Sequence, residues 1–181
     1  MSLLPFSLAL AVAAGFAAAP LAAAEPSFPV IQGYGGVQPT DGAAERPDKR
    51  VRYRVVFNVT KAAPAPGRVN PALDKMARFI NLLGADGVRA TRGDLIAIVH
   101  GPATALVMDN ASYRAKFGVD NPNLELIERL RQTGAEVHVC SQALAGNKIL
   151  RKTVSSTVQV DVSALTTLAN LQLRGFALIP D

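Results

Sequence analysis

One cysteine, Cys140, and two histidines, His100 and His138, are the side chains of this sequence best suited to nucleophilic, proton-transfer or metal chemistry near neutral pH. Cys140 stands where a strand-like run, Glu136-Val137-His138-Val139-Cys140, gives way to a helix-like run, Ser141-Gln142-Ala143-Leu144. A lone thiol cannot close an internal disulfide, so it is either inert packing or a reactive group kept unpaired. Backbone amides at the start of the following helix would stabilise a thiolate there. His100 closes an apolar run and precedes Gly101-Pro102-Ala103, a tight turn into a helix with an early proline. It reads either as a strand-end histidine bonded to backbone or as a group that stabilises a thiolate and relays a proton. His138 shares strand parity with Cys140 but lies inside its strand, which points to a structural role. His100, His138 and Cys140 can also be taken together as copper or zinc ligands, yet their spacing matches no metal motif. Asp109, Asn110 and Tyr113 on the helix after His100, with Asn121 and Asn123 at the next helix start, read as local structure.

The elements that must position these residues alternate. Tyr53 to Val59 suits a buried strand, and Pro71 to Leu83 carries Leu73, Met76, Ala77, Ile80 and Leu83 at helical spacing, with Gly84 as its stop. Asp94 to His100 is a near-continuous apolar strand of the kind covered on both faces. Pro102 to Phe117 reads as one or two helical pieces ending at Gly118. Asn121-Pro122 opens a helix with Leu124, Ile127 and Leu130 on one stripe and Gly134 at its end. A strand from Glu136 to Cys140, a helix from about Ser141 to Lys148, an alternating or irregular stretch over Thr153 to Asp161, a helix from Ser163 to about Arg174 and a strand at Phe176 to Ile179 complete the chain. Strands and helices in alternation predict an α/β fold with a largely parallel sheet. Ligands of such sheets collect beyond the carboxyl ends of the strands, where Thr60, His100 and Cys140 all fall.

Residues 1–24 carry no charged side chain, hold a Leu/Ala/Val/Phe-rich stretch from Leu8 to Leu21, and end in Ala22-Ala23-Ala24. This pattern predicts a cleaved secretory signal peptide with a mature start at Glu25, the alternative being a membrane anchor of the roughly 20 residues a bilayer requires. Residues 25–49 are rich in Pro, Gly and polar residues and read as an irregular arm on the domain surface that contributes little to stability. Gly33-Tyr34-Gly35 begins like a dinucleotide fingerprint, but Gln38 takes the place of the last glycine and no strand precedes it. Residues 50–181 are the length of one ordinary domain.

The formal net charge is +5, spread without a Lys/Arg block interleaved with aromatics, and there is no Trp. Nucleic-acid binding therefore has no support, and attraction to small anions or an acidic partner is the milder inference. Arg50, Arg52 and Arg54 alternate with Val51, Tyr53 and Val55, as a strand with one wet face does. The absence of a Walker loop, a Gly-x-Ser-x-Gly elbow and a His-Glu-x-x-His pattern removes nucleotide hydrolases, serine hydrolases and common zinc proteases.

Three segments together resemble the DsrE/DsrF-like proteins of sulfur relay, in particular their exported branch. They are Val99-His100-Gly101-Pro102-Ala103, Asn121-Pro122-Asn123-Leu124 before a Leu/Ile helix, and Val139-Cys140-Ser141-Gln142-Ala143-Leu144. The likeness continues through Ser163-Ala164-Leu165 to Leu171-Gln172-Leu173-Arg174-Gly175-Phe176 and covers roughly residues 51–181. Ser141 stands where members usually carry glycine. The resemblance implies a three-layer α/β/α subunit with a largely parallel sheet of about five strands, assembled as a homotrimer or hexamer, whose cysteine carries sulfur as a persulfide. On this reading Cys140 is the acceptor and His100 its modulator in a periplasmic sulfur-binding or sulfur-transfer protein. It would be a carrier rather than a turnover enzyme, without cofactor or metal. Its partners would be a sulfur donor or acceptor protein or a small sulfur compound, with no nucleic acid and no stable membrane insertion after cleavage. A thiol- or metal-binding module without sulfur transfer, and a structural oligomer with an idle buried cysteine, are the rival readings.

Overall fold

Short β-branched runs bounded by Gly, Asp or Pro become five strands in the computed structural model, which describes residues 24–181. They are β1 (Val55–Val59), β2 (Leu95–Val99), β3 (Glu136–Cys140), β4 (Gln159–Asp161) and β5 (Ala177–Ile179). The sheet order is β4-β3-β2-β1-β5, and all four pairings are parallel. Between them lie α1 (Pro71–Ala85), a 3-10 helix (Gly101–Val107), α2 (Asn110–Phe117), α3 (Asn123–Gln132), α4 (Ser141–Gly146) and α5 (Ala164–Leu173). The α/β fold with a parallel sheet of five strands is thus as the sequence predicts.

The connection pattern decides which face each helix covers. From β1 the chain steps outward through β2 and β3 to β4, then returns to place β5 on the far side of β1. Crossovers of one hand put outward-stepping helices on one face and the returning helix on the other. Accordingly Phe57, Val59, Ala97, Val99, Val137 and Val139 join the large core with residues of α1 and α3. On the opposite face Val56, Ile96, Ile98 and Cys140 meet mainly α5 and its flank, through Ala164, Leu168, Leu171 and Phe176, with Ala143 of α4 at the edge. Cys140 sits on this thinly covered face.

Local differences from the sequence reading have clear causes. The stretch after His100 forms two helical pieces, a 3-10 helix and α2, divided at Met108, whose extended backbone bridges Val154. Helix α3 begins at Asn123 rather than at Pro122, because Asn121 turns its side chain inward and accepts from the Asn123 amide. Helix α4 ends at Gly146, two residues short of the expected stop. Only Gln159–Asp161 of the irregular stretch pairs as a strand.

The segment before Lys49 departs furthest from expectation. It has no helix or strand among its described residues, only a bridge between Ser27 and Val37, yet it is not superficial. Ile31 is 2% exposed and belongs to the large core. Asn81, wholly buried on α1, accepts from the amides of Val30 and Ile31 at 2.9 and 2.8 Å and donates to the carbonyls of Tyr34 and Gly35 at 2.9 and 3.0 Å. Gly35 lies so close to α1 that a Cβ would fall 2.1 Å from the Arg78 amide nitrogen. Of the two glycines that began like a nucleotide fingerprint, Gly35 serves this close approach, while Gly33 has open space around it and a positive φ of 79°. The signal-peptide prediction lies outside the described residues, apart from Ala24. Among the described residues no helix is long and apolar enough to cross a membrane.

Candidate functional site

Parallel register sets the rim. Val59 pairs with Val99 and Val99 with Val139, so Thr60, His100 and Cys140 follow side by side at the carboxyl ends of β1, β2 and β3. Cys140 pairs with Asp161 on β4. Adjacent parallel strands run about 4.8 Å apart, so groups from distant parts of the sequence share one edge.

Cys140 is 5% exposed, the N-cap of the six-residue α4, and its Sγ accepts from the Ala143 amide at 3.4 Å. The cysteine therefore holds the strand-to-helix junction and is packed in the smaller apolar cluster. The next residue, Ser141, donates its hydroxyl to the Val162 carbonyl at 2.7 Å, and Gln142 reaches the same oxygen at 3.4 Å. Both contacts fasten the β4–α5 turn beside the thiol. The serine in place of glycine keeps ordinary backbone geometry, since Lys148 is the non-glycine residue found at positive φ among the described residues.

His100 sits in extended backbone and hands the chain to Gly101, whose φ of 56° lies in the region that favours glycine. Its Nε2 is 2.7 Å from Asn58 Oδ1. An amide oxygen only accepts, so Nε2 carries the hydrogen and Nδ1 is left as the basic nitrogen. Burial pushes the His100 pKa below that of a free imidazole, with the Asp181 carboxylate acting in the opposite sense. The ring is consequently neutral at pH 7 and able to accept a proton. No hydrogen bond joins it to the Cys140 thiol, and the relation between the two is adjacency on the rim.

His138 is engaged differently. Its Nδ1 is 2.9 Å from Asp161 Oδ2 and its Nε2 is 3.1 Å from Glu136 Oε2. Carboxylates only accept, so this arrangement favours the doubly protonated ring. Burial opposes that charge, and the two carboxylates outweigh burial to raise the pKa. Asp161 also accepts from Thr167 Oγ1 of α5 at 2.9 Å, and its own pKa is lowered, burial again opposing and His138 prevailing. With both ring nitrogens taken, His138 is no metal ligand as arranged. Among the described residues no three His, Cys, Asp or Glu side chains form a group suited to a metal ion.

Several contributors escaped sequence reasoning. Asn58, Asp161 and Asp181 reach His100 and His138 from other strands or the chain end, whereas Glu136 reaches His138 from two positions away on β3 itself. Strand parity held a usable signal for one of them, since Glu136 and His138 alternate onto one face of β3. Asp181 accepts from the amides of Thr60 and Lys61 at 2.6 and 2.9 Å and from the Thr60 hydroxyl, closing the rim beyond β1. Asn121 and Asn123 do prove structural. Asn121 donates to the Leu106 and Met108 carbonyls at 2.8 and 2.7 Å, and Asn123 accepts from the Asn70 amide at 2.7 Å. Asp109 caps α2 through the Ser112 amide at 2.7 Å.

A three-layer α/β subunit with one buried thiol at the carboxyl rim of a parallel sheet is the class that these features define. The DsrE/DsrF-like family matches residues 53–180, and the chain belongs to that family. A solved structure from Methanobacterium thermoautotrophicum, described as protein of unknown function MTH1491, is similar with a TM-score of 0.51 at 18% identity. The match covers 71% of this chain and 99% of that one, and it supports the fold. No curated protein matches the chain.

Proposed function

We propose that the protein is an exported sulfur carrier in which Cys140 accepts one sulfur atom as a persulfide. The observation that carries this reading is the placement of a single thiol at the ligand-binding edge of a DsrE-family sheet, beside a neutral imidazole. In the step proposed, His100 Nδ1 takes the thiol proton and the Cys140 thiolate attacks the terminal sulfur of a donor persulfide. The new Sγ–S bond forms as the donor S–S bond breaks, and the donor leaves as a thiolate that can recover the proton from His100. No net oxidant or reductant is consumed. Asn58 acts as a positioning residue that fixes the His100 tautomer.

Export with cleavage before Glu25 and assembly into a homotrimer or hexamer belong to the same proposal. The leader pattern of residues 1–24 supports the first. Leu165 and Leu173 of α5, 82% and 87% exposed, support the second. Incubation with inorganic polysulfide followed by mass spectrometry tests the carrier: the Cys140 peptide should gain one sulfur, and Cys140→Ser should gain none. If the wild-type protein stays unmodified when its thiol has been made accessible by denaturation and refolding in the donor, the carrier reading fails.

The low exposure of Cys140 favours one rival, an idle packing cysteine. Failure of any thiol reagent to reach Cys140 in the folded protein would support that rival.

A further inference from the structure

A carrier thiol that is 5% exposed must be uncovered to meet a donor, and the segment lying over it is unusually well tied. Asp161, the register partner of Cys140, holds His138 of β3 on one side and Thr167 of α5 with the same Oδ2. One residue further, the Val162 carbonyl accepts from Ser141 and Gln142 of α4. Ala164, the first residue of α5, then packs in the apolar cluster that contains Cys140. Strand β4 is only three residues long and lies at the sheet edge, so few ladder bonds resist its release. Val162 and Leu165 flank the turn with 75% and 82% of their surface exposed, so little apolar burial anchors it from outside.

We propose that Asp161 and His138 form a clasp that keeps the β4–α5 turn closed over Cys140, and that release of this clasp exposes the thiol. The inference rests on the carrier reading for its purpose but not for its geometry. Both residues are positioning residues and neither takes part in sulfur transfer. The charged groups acting on His138 are Glu136 from its own strand and Asp161 from β4. Its β2 neighbour is Ile98, and α5 presents the uncharged Thr167 through Asp161. Protonated His138 is held by two charge-assisted hydrogen bonds, and loss of its proton removes one donor, leaving one carboxylate without its partner. The clasp is therefore closed where His138 is protonated and loosens as pH rises through the elevated His138 pKa.

The test compares the full chain with His138→Gln and Asp161→Asn, measuring alkylation of Cys140 by iodoacetamide and amide hydrogen exchange across residues 159–167. At about pH 6, where the wild-type histidine is charged, each variant should react roughly 10-fold faster or more and lose protection in that segment. The variant-to-wild-type ratio should approach unity once His138 has titrated, a position read from its ring proton resonance. Equal rates and equal protection at pH 6 would overturn the clasp. Should either variant fail to fold, the wild-type protection factors decide alone, since a segment whose protection is flat through the His138 titration contradicts the proposal. Persulfide formation with an unregulated thiol would leave the carrier and remove the clasp. Regulated alkylation without sulfur uptake would do the reverse.

Discussion

The two histidines near this thiol have their pKa values moved in opposite directions by ordinary means. Burial lowers the pKa of His100 and so favours its neutral form, whereas at His138 two carboxylates overcome burial and favour the charged form. Replacing Asn58 by Ala removes the acceptor that selects the His100 tautomer, and replacing His100 by Ala removes the base itself. Both changes should slow sulfur uptake at neutral pH, with His100→Ala the larger at about 10-fold or more. Stopped-flow persulfide formation would measure this, and a rate unchanged in His100→Ala would withdraw the histidine while leaving Cys140 as carrier. His138 makes a separate, pH-dependent contribution to stability. Its folded pKa is raised, so the stabilisation is complete below the unfolded value of about 6.5 and is lost as pH rises through the folded value. Urea midpoints of wild type and His138→Gln should therefore differ at pH 5.5 and converge once the pH has passed the folded His138 pKa. A difference that grows with pH would contradict the assignment. Sequence parity already placed His138 on the face of Cys140, but its carboxylate partner Asp161 stands 23 positions away and is brought near only by strand pairing.

At the scale of elements, periodicity was informative wherever a segment met one large core. The spacing of Leu73, Met76, Ala77 and Ile80 gave α1 almost to its ends, since all four enter the same cluster. It was silent about residues 25–49 because their attachment is polar and backbone-mediated: one buried amide, Asn81, replaces an apolar stripe. Asn81→Ala should leave the buried Ile31 amide without an acceptor, at about 1–3 kcal/mol, with a smaller cost at the part-buried Val30 amide, and lower the melting temperature by about 2–4 °C per kcal/mol. Gly35→Ala should destabilise as well, because the added Cβ meets the backbone of α1 and the φ of 60° disfavours it. Removing the chain before Lys49 should cost more than either, because Ile31 leaves the core. Calorimetry that finds the shortened chain melting with the full one would show the arm to be dispensable after all.

For the whole molecule, the return of the chain to β5 leaves mainly α5 to cover the face that bears Cys140, and that helix keeps Leu165 and Leu173 in solvent. Assembly would bury them, so light scattering should give a mass three or six times that of the chain, and Leu173→Glu should lower it. A monomer at micromolar concentration would refute assembly without touching the thiol. The α/β architecture was readable because alternating strands and helices with short turns admit few topologies. The burial of the thiol was not, because it depends on how the β4–α5 turn lies over β3. The central claim, that Cys140 carries sulfur, is tested most directly by intact mass of the protein isolated from its own cell without reductant. The account predicts a chain beginning at Glu25 with one additional sulfur that maps to Cys140 and disappears on reduction. A Cys140 recovered unmodified, and still unmodified after polysulfide treatment of the unfolded and refolded chain, would contradict it.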